Sequence, residues 1–174
     1  MFIKSNINYR YNRDFVFDEY IYGQGHGSSS KLKMGFFKGA RNGCGWIATY
    51  NATKMLGASV QPSEIIKIFE GFNPLRLGFL GISPLTIIVF LITMGYRVRL
   101  SFNPNRFDEI AKNSRANIMF YKFGLRGHFF AFDWDGDLFK AYNVYNSQKA
   151  VRTFSSIRTY MRKKGWLYLL ISIS

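Results

Sequence analysis

The chain of 174 residues contains one cysteine and two histidines. A lone cysteine, Cys44, cannot form an internal disulfide bond, so nothing in the sequence demands an oxidising compartment. With only His26 and His128 beside it, a zinc tetrad would need carboxylates, and these show no ligand spacing. We therefore expect no disulfide framework, no metal site and no cofactor.

Acidic residues are scarce as well. Ten Asp and Glu stand against 24 Lys and Arg, which gives a formal net charge of +14. Such an excess attracts anions, so a nucleic acid, a membrane surface, or an acidic polymer or peptide would each fit as a partner. The basic residues are scattered, and only Arg162, Lys163 and Lys164 form a tight run. Because a scattered excess is more typical of a solvated surface, an anionic partner stays an alternative rather than the first interpretation.

Long apolar stretches are nearly absent. Residues 1–13 mix basic, polar and aromatic side chains, which is not the pattern of a secretory signal peptide, so we expect a cytoplasmic protein. The uncharged stretch 78–96 contains Ser83-Pro84 and Gly95, which predict the start and the end of a short buried helix. A helix of that length cannot span a bilayer, so no integral membrane segment is expected.

Hydrophobic residues make up 48% of the chain and aromatic residues 18%, which is ample for a packed core. The length fits one domain over 1–174, of which 1–33 lack clean periodicity and are expected to be partly irregular. The apolar spacing predicts helices first and antiparallel strands afterwards, an α+β order. The predicted helices are 44–56, 62–71, 84–94, 107–111 and 154–164, and the predicted strands are 96–102, 116–123, 128–134, 137–145 and 166–173.

The first motif with chemical content is Asn42-Gly43-Cys44-Gly45-Trp46, at the predicted start of a helix. Free N–H groups and the helix dipole favour negative charge there and would stabilise a thiolate. The flanking glycines would let the backbone and a substrate approach the sulfur closely. The alternative is a buried structural cysteine, the commoner fate of a single Cys.

The second motif is a predicted hairpin whose turn is Asp135-Gly136, between two β-rich segments. A two-residue turn would place Trp134 opposite Asp137 and, six residues back along each strand, His128 opposite Asn143. Facing residues have Cβ atoms about 4.5–5.5 Å apart, so the amide of Asn143 could orient the imidazole of His128. A thiol nucleophile, its base and the group that orients the base would then be present.

The two motifs together resemble the papain-like cysteine peptidases. The sequence Cys-Gly-Trp-Ile-Ala from Cys44, the Ser83-Pro84 helix, and Gly-His-Phe-Phe-Ala-Phe around His128 are most similar to a compact bacterial branch, the peptidases that remove double-glycine leaders from bacteriocins. The resemblance covers 42–146. It implies a helical part packed on a C-terminal antiparallel sheet, and a peptide or amide substrate. It assigns Cys44 as nucleophile, His128 as base and Asn143 as orienting residue, with Asn146 as a weaker candidate.

The sequence departs from this family at the oxyanion donor. A Gln is usual about six residues before the Cys, where this chain has Lys38. Gln24 could serve if the intervening segment loops out, and Asn42 could donate its side-chain amide instead; Gln24 is slightly favoured. Because one oxyanion donor is worth about 3 kcal/mol of barrier, its identity bears on activity. The alternative function is a non-catalytic papain-like module that binds an anionic partner, and the sequence leaves the substrate and the oligomeric state open.

Overall fold

The computed structural model describes residues 2–58, 60–72 and 81–174. Its first part is mainly helical, with a short two-stranded hairpin. The helices are α1 (Phe2–Asn12), α2 (Gly39–Asn42), α3 (Cys44–Met55), α4 (Pro62–Phe72) and α5 (Pro84–Thr93), and the hairpin strands are β1 (Lys33–Met34) and β2 (Phe37–Lys38). Helix α5 begins as predicted, because the Ser83 side chain accepts a hydrogen bond from the Thr86 N–H at 3.2 Å and Pro84 occupies the first turn. No helix within the described ranges is long and apolar enough to cross a membrane.

The second part is a six-stranded antiparallel sheet in the order β3-β8-β4-β5-β6-β7. Its strands are β3 (Val98–Ser101), β4 (Ala116–Phe123), β5 (Arg126–Trp134), β6 (Phe139–Tyr142), β7 (Arg152–Phe154) and β8 (Leu167–Ile173), and two short helices accompany them, α6 (Phe107–Lys112) and α7 (Ile157–Met161). Helices first and antiparallel strands afterwards is the order that the sequence predicts.

The two faces of the sheet bury different cores. Phe129 and Ala131 of β5 belong to the core that includes α3, whereas Phe130 and Phe132 belong to the core that includes α6 and α7. The alternation follows from the two-residue period of a strand. As a result, the sheet lies between α3 on one side and the two short helices on the other.

The β5–β6 hairpin differs from its prediction. Trp134 pairs with Phe139, not with Asp137, so the connection has four residues instead of two. The Asp135 carboxylate accepts the backbone N–H groups of Asp137 and Leu138 at 2.9 and 2.8 Å, which stabilises the longer turn. The register is shifted by two residues, which keeps each side chain on its predicted face but ends β6 at Tyr142. The predicted pairing of His128 with Asn143 is therefore wrong.

The sequence does not predict one helix, and it predicts another with the wrong bounds. The segment 1–33 contains the helix α1, whose buried Asn8 donates from Nδ2 to the Gly35 carbonyl at 3.0 Å and to Glu70 Oε1 at 2.6 Å. The helix predicted over 154–164 is limited to α7, because residues 152–154 pair with β6 as an edge strand. Both elements depend on partners distant in sequence, which local periodicity does not reveal.

Candidate active site

Cys44 and His128 line one open cleft of about 640 Å³. The cleft lies between the start of α3 and the β4–β5 turn, and Gln24, Asn42 and Asn146 also line it. Asn143 is fully buried beside the cleft, where it contacts both His128 and Gln24. The fold therefore gathers the residues that the sequence singles out, although their contacts differ from those predicted.

Cys44 opens α3 but does not follow an extended segment. Gly43 has a right-handed helical backbone and joins α2 to α3, with its N–H on the Gly39 carbonyl at 2.7 Å and its carbonyl accepting the Ile47 N–H at 2.9 Å. A Cβ on Gly43 would lie 2.5 Å from the Gly39 oxygen, and one on Gly45 would lie 2.8 Å from Ile82 Cβ. These glycines thus permit close internal packing, and not the approach of substrate that the motif suggests.

The Cys44 sulfur is a neutral thiol in this environment. Burial raises the pKa of the thiol, and this outweighs the backbone N–H groups of Phe129, Gly45 and Cys44, which lower it. The helix start thus acts in the predicted direction, but a resting thiolate is not what results. The contact with the Phe129 N–H also fixes the sulfur beside the backbone of the residue that follows His128.

His128 is held by a backbone carbonyl. Its Nε2 lies 2.6 Å from the Asn143 oxygen, and a carbonyl only accepts, so Nε2 carries the proton and Nδ1 is left as the basic nitrogen. Burial lowers the pKa of His128, and the contact with Asn143 raises it by less, so the imidazole is neutral at pH 7. The ring of Tyr121, the cross-strand neighbour on β4, packs edge-on against the imidazole at 5.7 Å between centroids.

Asn143 makes its contacts from an uncommon backbone conformation. Its φ is +60°, a left-handed value that Asn tolerates better than most residues. Its N–H donates to the Tyr22 carbonyl at 2.7 Å, and its side-chain oxygen accepts the Gln24 N–H at 3.0 Å. The predicted role of its amide on the imidazole is therefore wrong, because the strand ends one residue earlier and turns the carbonyl toward His128.

Gln24 reaches the cleft although it precedes Cys44 by twenty residues. The intervening segment loops out and contains the β1–β2 hairpin. The flanking residues Gly23 and Gly25 let the backbone around Gln24 lie against residues 146–148. The Gly25 N–H donates to the Asn146 carbonyl at 2.8 Å, and a Cβ on Gly23 would lie 2.6 Å from the Gln148 oxygen. Gln24 Nε2 donates to the Ala40 carbonyl at 3.1 Å, one turn before Cys44, which leaves its second N–H for another acceptor.

The remaining predicted residues are placed differently. Asn42 is nearly buried, lines the cleft and stays a second candidate for the oxyanion donor. Asn146 is exposed at the cleft, and within the described ranges no hydrogen bond joins it to His128. Lys38, at the position where the family has Gln, is exposed on β2 and is not among the residues that line the cleft.

The sequence does not indicate the backbone groups that contact Cys44 and His128, nor does it indicate Tyr121. The carbonyl of Asn143 and the N–H of Phe129 carry no residue-type signature, so no motif could have identified them. Burial, and secondarily the charge of Cys44, raises the pKa of Tyr121 to about 12, so its hydroxyl stays protonated at pH 7. A strand register for β4 and β5 would have been the signal, since Tyr121 faces His128 directly.

The similarity of this chain to known proteins lies in its structure and not in its sequence. No family model matches the sequence, and no curated protein matches it. Among solved structures, the peptidase domain of Streptococcus ComA, a bi-functional ABC transporter involved in a quorum-sensing pathway, superposes with a TM-score of 0.57 at 15% identity and covers 77% of this chain and 91% of that chain. The chain has the fold of a peptidase domain.

This likeness confirms the predicted papain-like α+β fold class and the resemblance from which it came. The Pseudomonas avirulence protein AvrPphB also matches, with a TM-score of 0.42 at 11% identity, covering 75% of this chain and 90% of that chain. At such identities the comparison concerns the fold, and the chemistry has to be argued from the residues of the cleft.

Proposed function

We propose that the protein is a cysteine peptidase or amidase in which Cys44 is the nucleophile and His128 the general base. The observation that carries the proposal is the convergence of these two side chains in one cleft. The Cys44 sulfur accepts the Phe129 N–H, and the neighbouring His128 has its Nε2 proton held by a carbonyl, which leaves Nδ1 free to accept a proton.

The reaction proceeds by acyl transfer. As the Cys44 sulfur bonds to the substrate carbonyl carbon, the thiol proton passes to His128 Nδ1 and the carbonyl becomes an oxyanion. The imidazolium then gives that proton to the leaving nitrogen as the C–N bond breaks, and water hydrolyses the thioester. The Asn143 carbonyl stabilises the imidazolium through Nε2–H and fixes the tautomer throughout.

Two donors are available for the oxyanion. The backbone N–H of Cys44 is one, as at other helix starts, and the second N–H of Gln24 Nε2 is the other. Gln24 is proposed as this donor because three contacts fix it: its own N–H on Asn143 Oδ1, its Nε2 on the Ala40 carbonyl, and the adjacent Gly25 N–H on the Asn146 carbonyl. A donor held in place before the reaction needs no reorganisation as the oxyanion forms.

The second candidate function is a non-catalytic module that binds an anionic partner. The net charge of +14 and the Lys at position 38 favour it. It requires neither a reactive Cys44 nor a base at His128, so thiol reactivity that depends on His128 separates the two functions.

The test is labelling with a panel of peptide vinyl sulfones at pH 7, using the wild type, Cys44→Ser and His128→Ala. We expect a single adduct on Cys44 in the wild type and a loss of at least about tenfold in labelling rate for His128→Ala, since a neutral thiol needs the base. Iodoacetamide at pH 9.5 provides the control, because it reacts with any accessible thiol. Equal labelling of the wild type and His128→Ala at pH 7 would refute the proposal and favour the binding module.

A further inference from the structure

The formally charged side chains that line the cleft around Cys44 are all positive. Two arginines, Arg41 and Arg126, are among its lining residues, and no Asp or Glu is. All ten acidic residues of the chain lie within the described ranges, so none is hidden elsewhere beside the cleft. A local excess of one sign is therefore a property of this site, in addition to the scattered charge of the surface.

The two arginines belong to segments next to the two proposed reacting residues. Arg41 is in α2, three residues before Cys44, and its guanidinium lies 4.1 Å over the ring of Phe37, which fixes its position without neutralising it. Arg126 begins β5, two residues before His128, directly after the Gly124-Leu125 turn. One cation thus accompanies the nucleophile and the other accompanies the base.

Neither arginine has a carboxylate partner within the protein. In the part of the chain that the structure describes, the ion pairs are Arg13–Asp14, Arg106–Glu109 and Lys140–Asp135, all outside the cleft. Both Arg41 and Arg126 are exposed. A guanidinium binds a carboxylate through two parallel hydrogen bonds, so each arginine is available to an acidic side chain of a bound molecule.

We propose that the cleft selects acidic peptides, whose Asp or Glu side chains bind Arg41 and Arg126. The proposal rests on the proposed peptidase function and names the substrate class for that site. The nearby Phe123 and the fully exposed Leu125 give the cleft an apolar wall, which suits a peptide with an apolar residue beside its acidic ones. Nucleic acid fits less well, because its affinity comes from many phosphate contacts, whereas two arginines line the cleft among the residues that the structure describes.

The experiment uses a positional-scanning library of internally quenched peptides, in which each position carries Asp, Glu, Asn, Gln or Lys in an otherwise constant sequence. Hydrolysis by the wild type is compared with that by Arg41→Glu/Arg126→Glu, in which both cleft charges are reversed. The matched control is Arg97→Glu/Arg99→Glu, which changes the net charge equally at two exposed positions at the β3 edge of the sheet.

For the wild type and the control, we expect kcat/KM to be about fivefold to twentyfold higher for the acidic peptides than for their amide counterparts at low salt. The Arg41→Glu/Arg126→Glu variant should lose this preference and favour peptides with Lys at the same positions. The preference should shrink as salt is raised, because exposed charges are screened. Equal rates for acidic and amide peptides would overturn the inference while leaving the peptidase function in place.

Binding to Cys44→Ser, measured by fluorescence anisotropy with the labelled acidic and amide peptides, provides a readout that needs no turnover. Tighter binding of the acidic peptide, abolished by charge reversal at Arg41 and Arg126, supports the inference even if no library member is hydrolysed. A labelled oligonucleotide that binds through the same two arginines more tightly than the acidic peptide would overturn it. Failure of the vinyl sulfone labelling would refute the peptidase function separately.

Discussion

At the scale of a single residue, Asn143 connects the proposed general base, His128, with the proposed oxyanion donor, Gln24. Its carbonyl accepts from His128 Nε2, and its side-chain oxygen accepts from the Gln24 backbone N–H. A displacement of this residue would therefore move two parts of the site at once. The left-handed backbone explains why Asn is suited to the position, since residues without its short polar side chain pay about 1–2 kcal/mol there, and only Gly escapes the cost.

Replacement of Asn143 distinguishes a carbonyl that orients the base from an amide that does so. Asn143→Gly keeps the backbone conformation and the carbonyl on His128, so we expect it to retain more kcat/KM and more stability than Asn143→Ala, which strains the backbone. Both lose the contact with Gln24, so neither should match the wild type. The measurement is kcat/KM on a cleaved library peptide, together with the midpoint of urea unfolding.

Asn146→Ala is the control for this comparison, because Asn146 is exposed and holds Gly25 through its backbone carbonyl only. Its kcat/KM should stay within about threefold of the wild type, as is usual for surface substitutions. Equal damage by Asn143→Gly and Asn143→Ala would mean that loss of the side chain, and not strain that displaces the carbonyl from His128, accounts for the effect.

The sequence indicates the proposed reacting side chains better than the groups that hold them. Cys44 and His128 are rare residue types in recognisable surroundings, and Gln24 is slightly favoured over Asn42 as oxyanion donor because Lys38 stands where the resemblance expects a Gln. The contact between His128 and the Asn143 carbonyl could not be predicted, because every residue has a carbonyl and its direction depends on where β6 ends. The raised pKa of the Cys44 thiol could not be predicted for a similar reason, since burial of the sulfur follows from packing and not from the motif.

At the scale of secondary structure, the turns explain where prediction failed. Asp135-Gly136 predicts a two-residue turn, but Asp135 accepts two backbone N–H groups and extends the connection to four residues. A true two-residue turn occurs at Gly124-Leu125 instead, where Phe123 pairs with Arg126. The helix predictions are more accurate than the turn predictions. Helices α3, α4 and α5 begin where the sequence predicts and end within one residue of the prediction, because capping residues and glycines mark their ends locally.

Helix α3 packs against Ile82, in the segment just before α5, because Gly45 has no side chain. A methyl group there would lie 2.8 Å from Ile82 Cβ, which is closer than packed carbon atoms approach. We expect Gly45→Ala to lower the free energy of unfolding by about 1–3 kcal/mol, as overpacking of a core does. The measurement is the midpoint of urea unfolding.

Gly71→Ala is the matched control, because Gly71 lies in the helix α4 and a Cβ there meets nothing within 4 Å. It should leave the stability unchanged or raise it by up to about 1 kcal/mol, since alanine favours a helix more than glycine does. A Gly45→Ala variant as stable as Gly71→Ala would show that α3 and Ile82 do not pack as closely as described.

At the scale of the whole molecule, the charge distribution complements the chemistry of the cleft. Several of the few carboxylates accept backbone hydrogen bonds outside the cleft. Asp108 accepts the N–H groups of Ile157 and Arg158 at the start of α7, and Glu70 accepts the Gly35 N–H. This leaves the cleft with Arg41 and Arg126 and no acidic residue. The composition predicts an attraction to anions, but only the fold reveals that the cleft itself lacks a compensating charge.

The central claim is that Cys44 and His128 act as one unit in acyl transfer. The most direct measurement is kcat/KM on a cleaved peptide for the wild type, Cys44→Ala, His128→Ala and the double variant. Because the two groups operate in the same step, each single change should lower kcat/KM by at least about a thousandfold, and the double variant should be no slower than Cys44→Ala. Turnover retained by Cys44→Ala, or losses in the two single variants that multiply in the double variant, would contradict the account.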